Sequence, residues 1–531
     1  GTINVNTGYS AGMSSAASGI ANMINDSTGV INVKGTNSFG MYATGNSHIT
    51  NNGIINVYGD GNTDIYSAGT GEGKEIAVIR NNIIKIFGKN ATVFHINGKA
   101  EIEEVGRVRI CDPSADGAEN CSKEAAETLT YYLVSGDLTI KKNLSIEQGN
   151  LIKLTDSSNV TINNGVQLSI TKQGTIIDAT NGSGTITNNG SLRLINTNNS
   201  TAVKVGKATF NNNGTIEIAS VSGFTPGSSN TAVDVAEGGK FNNSSQINVN
   251  TDSSYGVKSS GTTVNSGIIA INGSDGKGVI VSGGEFTNSG SITVGSAINY
   301  ISNGAGIVVN GGSAKNEGGT ITIYGSNSHG VSVRSGNFTN SGNININQSG
   351  GSTSYGIYLT GGTATNNGTI TVSGGAVKCS GLECKDKNTA TQSSFIMVKN
   401  DASFINNGTI KYNSDIDFDA ATENNGSISV GKNGTYEASA LKGTVTADAD
   451  ITQSRFDTTY RNNDSFIGKD AGLNIVSGSY MFNAEKAANE SGNTDVIMTM
   501  KSFDETVADK ELASYLSTNY AAQKGEGVFN T

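Results

Sequence analysis

The sequence predicts an all-β chain folded as a right-handed parallel β-helix, a three-stranded solenoid of roughly 18 to 20 turns. Three observations predict it. The composition favours strands and tight turns: of 531 residues 71 are Gly, 2 are Pro and none is Trp. Ile, Val, Thr, Asn and Ser are plentiful, a mixture that disfavours helix. A block of the form Asn-x-Gly-x-Ile-x-Ile/Val recurs along the chain. The segments between its copies carry two further short apolar alternations, so each repeat holds three strands.

The repeating block is seen in Asn51-Asn52-Gly53-Ile54-Ile55-Asn56-Val57 and in Asn212-Asn213-Gly214-Thr215-Ile216-Glu217-Ile218. It returns in Asn265-Ser266-Gly267-Ile268-Ile269-Ala270-Ile271, and its glycines are mostly 23 to 30 residues apart. The middle strand reads Gly278-Val279-Ile280-Val281 or Gly330-Val331-Ser332-Val333; the third reads Glu285-Phe286-Thr287-Asn288. Three strands of this length bury no core within one turn. Stacked turns do bury one, each strand pairing in parallel with its copy in the next turn. Ile216, Ile218, Val279, Val281 and Phe286 are expected to point inward, with the alternating polar residues facing solvent. Asn and Gly are expected to supply left-handed conformations at the corners, and matching Asn side chains to stack as amide ladders.

Residues 1–440 form the expected β-helix, with loops inserted near 111–128 and 373–391. The first insertion carries Asp112, Asp116 and Glu119 between Cys111 and Cys121; the second carries Lys378, Leu382, Glu383 and Lys385 around Cys379 and Cys384. Two closely spaced pairs fit local disulfides in an exported chain, Cys111 with Cys121 and Cys379 with Cys384. Zinc ligation is the rival reading, although His48, His95 and His329 are remote from both pairs in sequence. Long loops on a rigid scaffold commonly carry function, so the charged and apolar residues of these two are candidate partner-binding positions. Residues 441–503 are expected to cap the open end of the solenoid, using Phe456, Tyr460, Phe466, Leu473, Ile475, Val476, Tyr480 and Phe482. Residues 504–531 read as a short helix, with Val507, Leu512, Tyr515 and Leu516 on one side, and a linker.

Few chemical motifs rise above the repeat. Gly8-Tyr9-Ser10-Ala11-Gly12 has the spacing of a nucleophile elbow but falls in a repeat turn. Asp415, Asp417 and Asp419 alternate with Ile416 and Phe418, forming an acidic patch on one outer face. That patch reads as a solvated, edge-protecting surface, with calcium or a cationic partner as alternatives. No cofactor is implied and no enzyme is expected. The net charge of −10 argues against a nucleic-acid or anionic-membrane surface. No apolar run approaches the length of about 18 residues that spans a bilayer as a helix. No signal peptide is recognisable, and Gly1-Thr2-Ile3-Asn4-Val5 already reads as repeat, so a piece of a larger protein is expected.

The Asn-Asn-Gly-Thr-Ile blocks at Asn212 to Ile218, Asn366 to Val372 and Asn406 to Tyr412 resemble the passengers of type V secretion (autotransporter) proteins. The low charge and the Gly-Val-x-Val strands are most similar to the large fusobacterial outer-membrane adhesins, of the arginine-inhibitable or galactose-inhibitable type. The resemblance implies a bacterial cell-surface passenger, anchored to the outer membrane through a β-barrel absent from this sequence. Its partner would be a host-cell receptor or glycan, or the surface of another bacterium. A passive spacer holding up a tip domain, and a β-helical polysaccharide-degrading enzyme, are the alternatives. The family pattern fixes no ligand and transfers no binding residue.

Overall fold

The computed structural model describes residues 1–16, 20–69, 77–104, 106–111, 129–221, 227–347, 354–373, 396–431, 433–448 and 459–522. They form a parallel β-solenoid of about 15 turns with two short helices. The chain divides into two compact units, Gly1–Gly276 and Lys277–Thr531. The turns are fewer than the 18 to 20 expected because many are longer than the repeat suggests. Register partners lie from 17 residues apart (Ser429 and Thr446) to 40 apart (Thr363 and Ser403).

In the first unit, apolar columns define the core. Ile31, Ile55 and Ile84 stand in register on successive first strands and are fully buried. Leu168, Leu192, Ile216, Ile247 and Ile269 form a second such column. On the third strands Phe210 stacks on Phe241, with ring centroids 5.2 Å apart and planes at 11°. Residues 70–162 lack the Asn-Asn-Gly block, yet their strands stay in the ladder: Thr92–Ile96 pairs with both Thr63–Ala68 and Thr130–Val134. Apolar alternation alone is enough to hold the register there.

The Asn-Asn-Gly block does a different job from the one its composition suggests. Its first Asn is the inward-pointing last residue of a third strand. Asn188 donates from Nδ2 to Asn212 Oδ1 (2.8 Å), Asn212 to Asn243 (2.8 Å) and Asn243 to Asn265 (2.7 Å), all buried. Each such bond contributes about 0.5–1.5 kcal/mol net, and an unpaired member costs more. The glycine serves close approach rather than a left-handed turn: a Cβ on Gly214 would lie 2.0 Å from the Gly190 carbonyl oxygen one turn below. Left-handed backbone occurs instead at the corner before the middle strand, at Asn37, Asn199, Ser229 and Ser253 (φ 49–57°).

In the second unit, Ile321, Ile344, Ile370 and Ile410 are in register and fully buried. Asn288, Asn316, Asn340, Asn366 and Asn406 form a buried amide ladder at 2.8 Å per step, each donating to the next Asn later in the chain. Ile357 pairs directly with Ile396 on the next middle strand. The regular three-strand turn then ends. The 13-residue strand Thr435–Ala447 pairs successively with Thr409–Tyr412, Ile416–Asp417 and Ser427–Val430, and then with Thr459–Ser477. Thr459–Ser477 meets Thr494–Met500 in antiparallel sense, and Phe482–Ala488 completes the hairpin. Of the apolar residues expected in this segment, Tyr460, Phe466, Leu473 and Ile475 are buried, whereas Val476 and Tyr480 are exposed. Phe456 lies outside the described residues.

The expected single helix is two. Phe503–Thr506 ends at Val507, which is extended, and Lys510–Ala522 starts afresh beyond Asp509. Asp509 Oδ1 accepts the Glu511 and Leu512 N–H groups at 3.0 Å, an N-cap that fixes the new start. Leu512 and Tyr515, expected on the apolar side, are exposed, and Ala513 is buried instead.

Candidate functional site

Most of the candidate loop residues cannot be placed. Asp112, Asp116, Glu119, Cys121, Lys378, Cys379, Leu382, Glu383, Cys384 and Lys385 lie outside the described residues. Cys111 is described: it is buried, and its N–H bonds the Ile86 carbonyl at 2.7 Å. Ser10 sits in a turn, sharing a hydrogen bond with the Thr7 hydroxyl (2.8 Å) and donating to the Gly8 carbonyl (3.2 Å). The strand-turn-helix setting of a nucleophile elbow is absent there.

The acidic patch is described throughout, and the alternation holds. Ile416 and Phe418 are fully buried, Phe418 edge-on to Tyr436 and Phe466. Two of the three carboxylates, Asp417 and Asp419, are individually engaged. Asp417 pairs with Lys442 at 2.9 Å and accepts the Ala420 N–H at 3.2 Å. Partial burial opposes its ionisation, but the Lys442 ammonium and the backbone N–H groups outweigh that and hold its pKa below the ordinary value. Asp419 accepts the Thr444 N–H at 2.8 Å. Among the described residues no group of three or more His, Cys, Asp or Glu side chains converges to hold a metal ion.

Read along the stack, the outward position of the middle strands in the first unit runs Tyr42, Tyr66, His95, Leu133, Lys153, Asp178 and Lys204. Tyr42 and Tyr66 stack at 4.6 Å and 9°, and His95 meets Tyr66 edge-on at 4.9 Å. The second unit has a similar group, with His329 stacked on Tyr358 at 4.8 Å. Burial, reinforced by Lys277 and Arg334, lowers the His329 pKa to about 4, so the ring is neutral at physiological pH.

Further along the first-unit row the surface opens into a groove of about 590 Å³. Here two strands run without a corner turn, Leu144–Asp156 and Gln167–Gly182, with Gln148 opposite Gln173, Gly149 opposite Gly174 and Asn150 opposite Thr175. A Cβ on Gly174 would lie 2.0 Å from the Gly149 carbonyl oxygen, so glycine is required where the strands bend together. Asp178, Asn199, Thr201 and Lys204 complete the wall. The side chains of Gln148, Asn150, Gln173, Asn199 and Lys204 have no hydrogen-bond or ion-pair partner among the described residues. Outward Asn side chains elsewhere do pair across turns, as in Asn189–Asn213 (3.1 Å), Asn211–Asn242 (2.8 Å) and Asn250–Asn272 (2.8 Å).

One buried group stands apart. Asp64 lies opposite Gly40 in the turn before and Val93 in the turn after. At this position the Cβ points into the core: one added to Gly40 would lie 2.9 Å from Ile55 Cγ2. Asp64 is therefore fully buried, neither carboxyl oxygen has a hydrogen-bond partner among the described residues, and Ser67 Oγ on the same strand has none there either. Desolvation raises the Asp64 pKa well above its ordinary value.

Residues 1–115, from the first strand through Arg107–Ile110, match the family model of the BigA fourth domain, a bacterial surface-protein domain. No curated protein matches the chain.

Proposed function

We propose that this chain is the passenger of a bacterial cell-surface protein and that it acts as an adhesin, contacting host cells or other bacteria. The observation that carries this reading is the match of residues 1–115 to a domain of a surface protein, within a solenoid that continues in the same pattern beyond it. A stacked solenoid can display a long surface on a rigid frame, which suits contact with another cell. The resemblance to large fusobacterial adhesins supports the finer assignment and the expectation of outer-membrane anchoring. The two cysteine-bearing insertions remain the first contact sites to test.

Beads coated with the 531-residue chain should bind epithelial cells or a partner bacterium, and the uncoated beads should not. Replacing residues 111–128 or 373–391 by a Gly-Ser link, one at a time, should weaken that binding. Coated beads that bind no cell type would leave the spacer reading in its place. The same chain incubated with polysaccharides should release no reducing sugar.

A further inference from the structure

The groove at Gln148, Asn150, Gln173, Asp178, Asn199 and Lys204 is built differently from the rest of the surface. In this chain a carboxamide on a repeated position normally finds its counterpart one turn away, as the outward Asn pairs show. In the groove Gln148 faces Gln173 across adjacent turns, about 4.8 Å apart, and these two, with Asn150 and Asn199, remain unpaired among the described residues. Each amide offers two donors and an acceptor with two lone pairs. The volume of about 590 Å³ falls within the range of about 300–1,000 Å³ typical of small-ligand sites.

The chemistry of the lining selects among occupants. One carboxylate, Asp178, and one ammonium, Lys204, stand opposite each other in register. A polyanion would meet Asp178 and a polycation Lys204, so neither is favoured. No large apolar side chain lines the groove, so a peptide would lack the aromatic or aliphatic anchors that carry protein contacts. Donors and acceptors at fixed spacing match the vicinal hydroxyls of a sugar. A second groove in the same unit, about 410 Å³ at Lys99, Glu101, Asp137 and Lys141, lacks this property. There Lys141 pairs with Glu101 at 2.6 Å and Asn159 donates to Asp137 at 2.9 Å, so four of its polar groups are already paired with one another.

We infer that the groove formed by the uninterrupted strands Leu144–Asp156 and Gln167–Gly182 binds a neutral oligosaccharide. The inference rests on reading the chain as a surface passenger that makes contacts, and it narrows the partner to a chemical class. It adds a recognition site on the solenoid wall itself to the contact sites expected on the inserted loops.

The test is an array of neutral, sialylated and sulfated oligosaccharides probed with the 531-residue chain, followed by titration of the best neutral binder. The parent chain should bind neutral members. Gln148→Ala combined with Gln173→Ala should weaken binding at least tenfold with the melting temperature unchanged, and Asn213→Ala, at a laddered surface position, should not. Should the double variant fold poorly, Gln173→Glu keeps the side-chain shape, removes the donor and should weaken binding as well. The inference is overturned if no neutral oligosaccharide binds, if only sialylated or sulfated members bind, or if the well-folded variants bind like the parent. A chain that adheres to cells without binding any neutral glycan refutes the groove and leaves the adhesin reading standing. A chain that binds neutral glycan at the groove yet adheres to no cell does the reverse.

Discussion

Replacing Asp64 by Ala should stabilise the first unit, and by more at neutral pH than in acid. The later turns carry Ala202 and Ala232 at the same place in the middle strand, both fully buried, so the frame accepts the residue. Two terms favour the variant. An unpartnered buried polar group costs about 1–3 kcal/mol even when neutral. The second term depends on pH. Asp64 has a folded pKa well above its ordinary value of 3.8 because burial disfavours the carboxylate. The folded state therefore holds the proton more tightly than the unfolded state. The contribution of Asp64 to the parent's stability is greatest below pH 3.8 and falls as pH climbs from there towards the folded value, by about 1.4 kcal/mol per pH unit. Against these stands the small void left by the lost carboxyl, about 1 kcal/mol. The balance is a gain of about 0–2 kcal/mol in acid, growing as pH rises. Long repeat arrays need not unfold in one step, so the reading should be local: hydrogen exchange at the amides of Thr63–Ala68 and Thr92–Ile96, at pH 4 and pH 7.5. A variant that opens more readily than the parent at pH 7.5, or a gain that is equal at both pH values, would refute the reasoning.

Mass spectrometry of the non-reduced protein should find Cys111 linked to Cys121 and Cys379 to Cys384; crossed links or free thiols would overturn the local pairing. Deleting residues 441–531 should lower the melting temperature far more than removing an equal length from the N-terminal end, because it strips the antiparallel hairpin that covers the last parallel strands. Asn316→Ala should cost about 2–4 kcal/mol by local hydrogen exchange, since it breaks two ladder bonds and leaves buried amide groups unpaired; a cost below the effect of an exposed Asn213→Ala would refute the ladder's role. Millimolar calcium should leave the melting temperature unchanged, because Asp417 and Asp419 are engaged by Lys442 and the Thr444 N–H; a clear rise would restore the cation reading of the acidic patch.

The core was legible in the sequence because burial in a solenoid follows simple alternation. Ile216, Ile218, Val279, Val281 and Phe286 all point inward and are fully buried, as their period-two pattern required. The parallel pairing followed from the repeat itself. What escaped the sequence was whatever depends on the neighbouring turn. Gly214 looks like a turn residue until the Gly190 carbonyl is seen 2.0 Å from where its Cβ would stand. Leu512 and Tyr515 look like an apolar helix face, but the break at Val507 turns them outward. Asp64 reads as an exposed polar residue in a strand, since only its alignment with Gly40 reveals that the position faces inward. The groove joins residues from Gln148 to Lys204 that share no motif. Its one advance signal was the long unbroken strand pattern around Gln148-Gly149 and Gln173-Gly174, where the usual corner residues are missing.

The direction of the amide ladders has an electrical consequence. Every inward step donates towards the C-terminus, from Asn188 to Asn265 and from Asn288 to Asn406. The outward pairs run the other way: Asn56 donates back to Asn32, Asn213 to Asn189, Asn242 to Asn211 and Asn407 to Asn367. Amide dipoles aligned head to tail add up, as they do along a helix, and polarise one another in a low-dielectric interior. Inside each unit, then, the buried ladder dipoles add along one direction, while the separate, hydrated pairs on the surface point the other way and offset part of that sum.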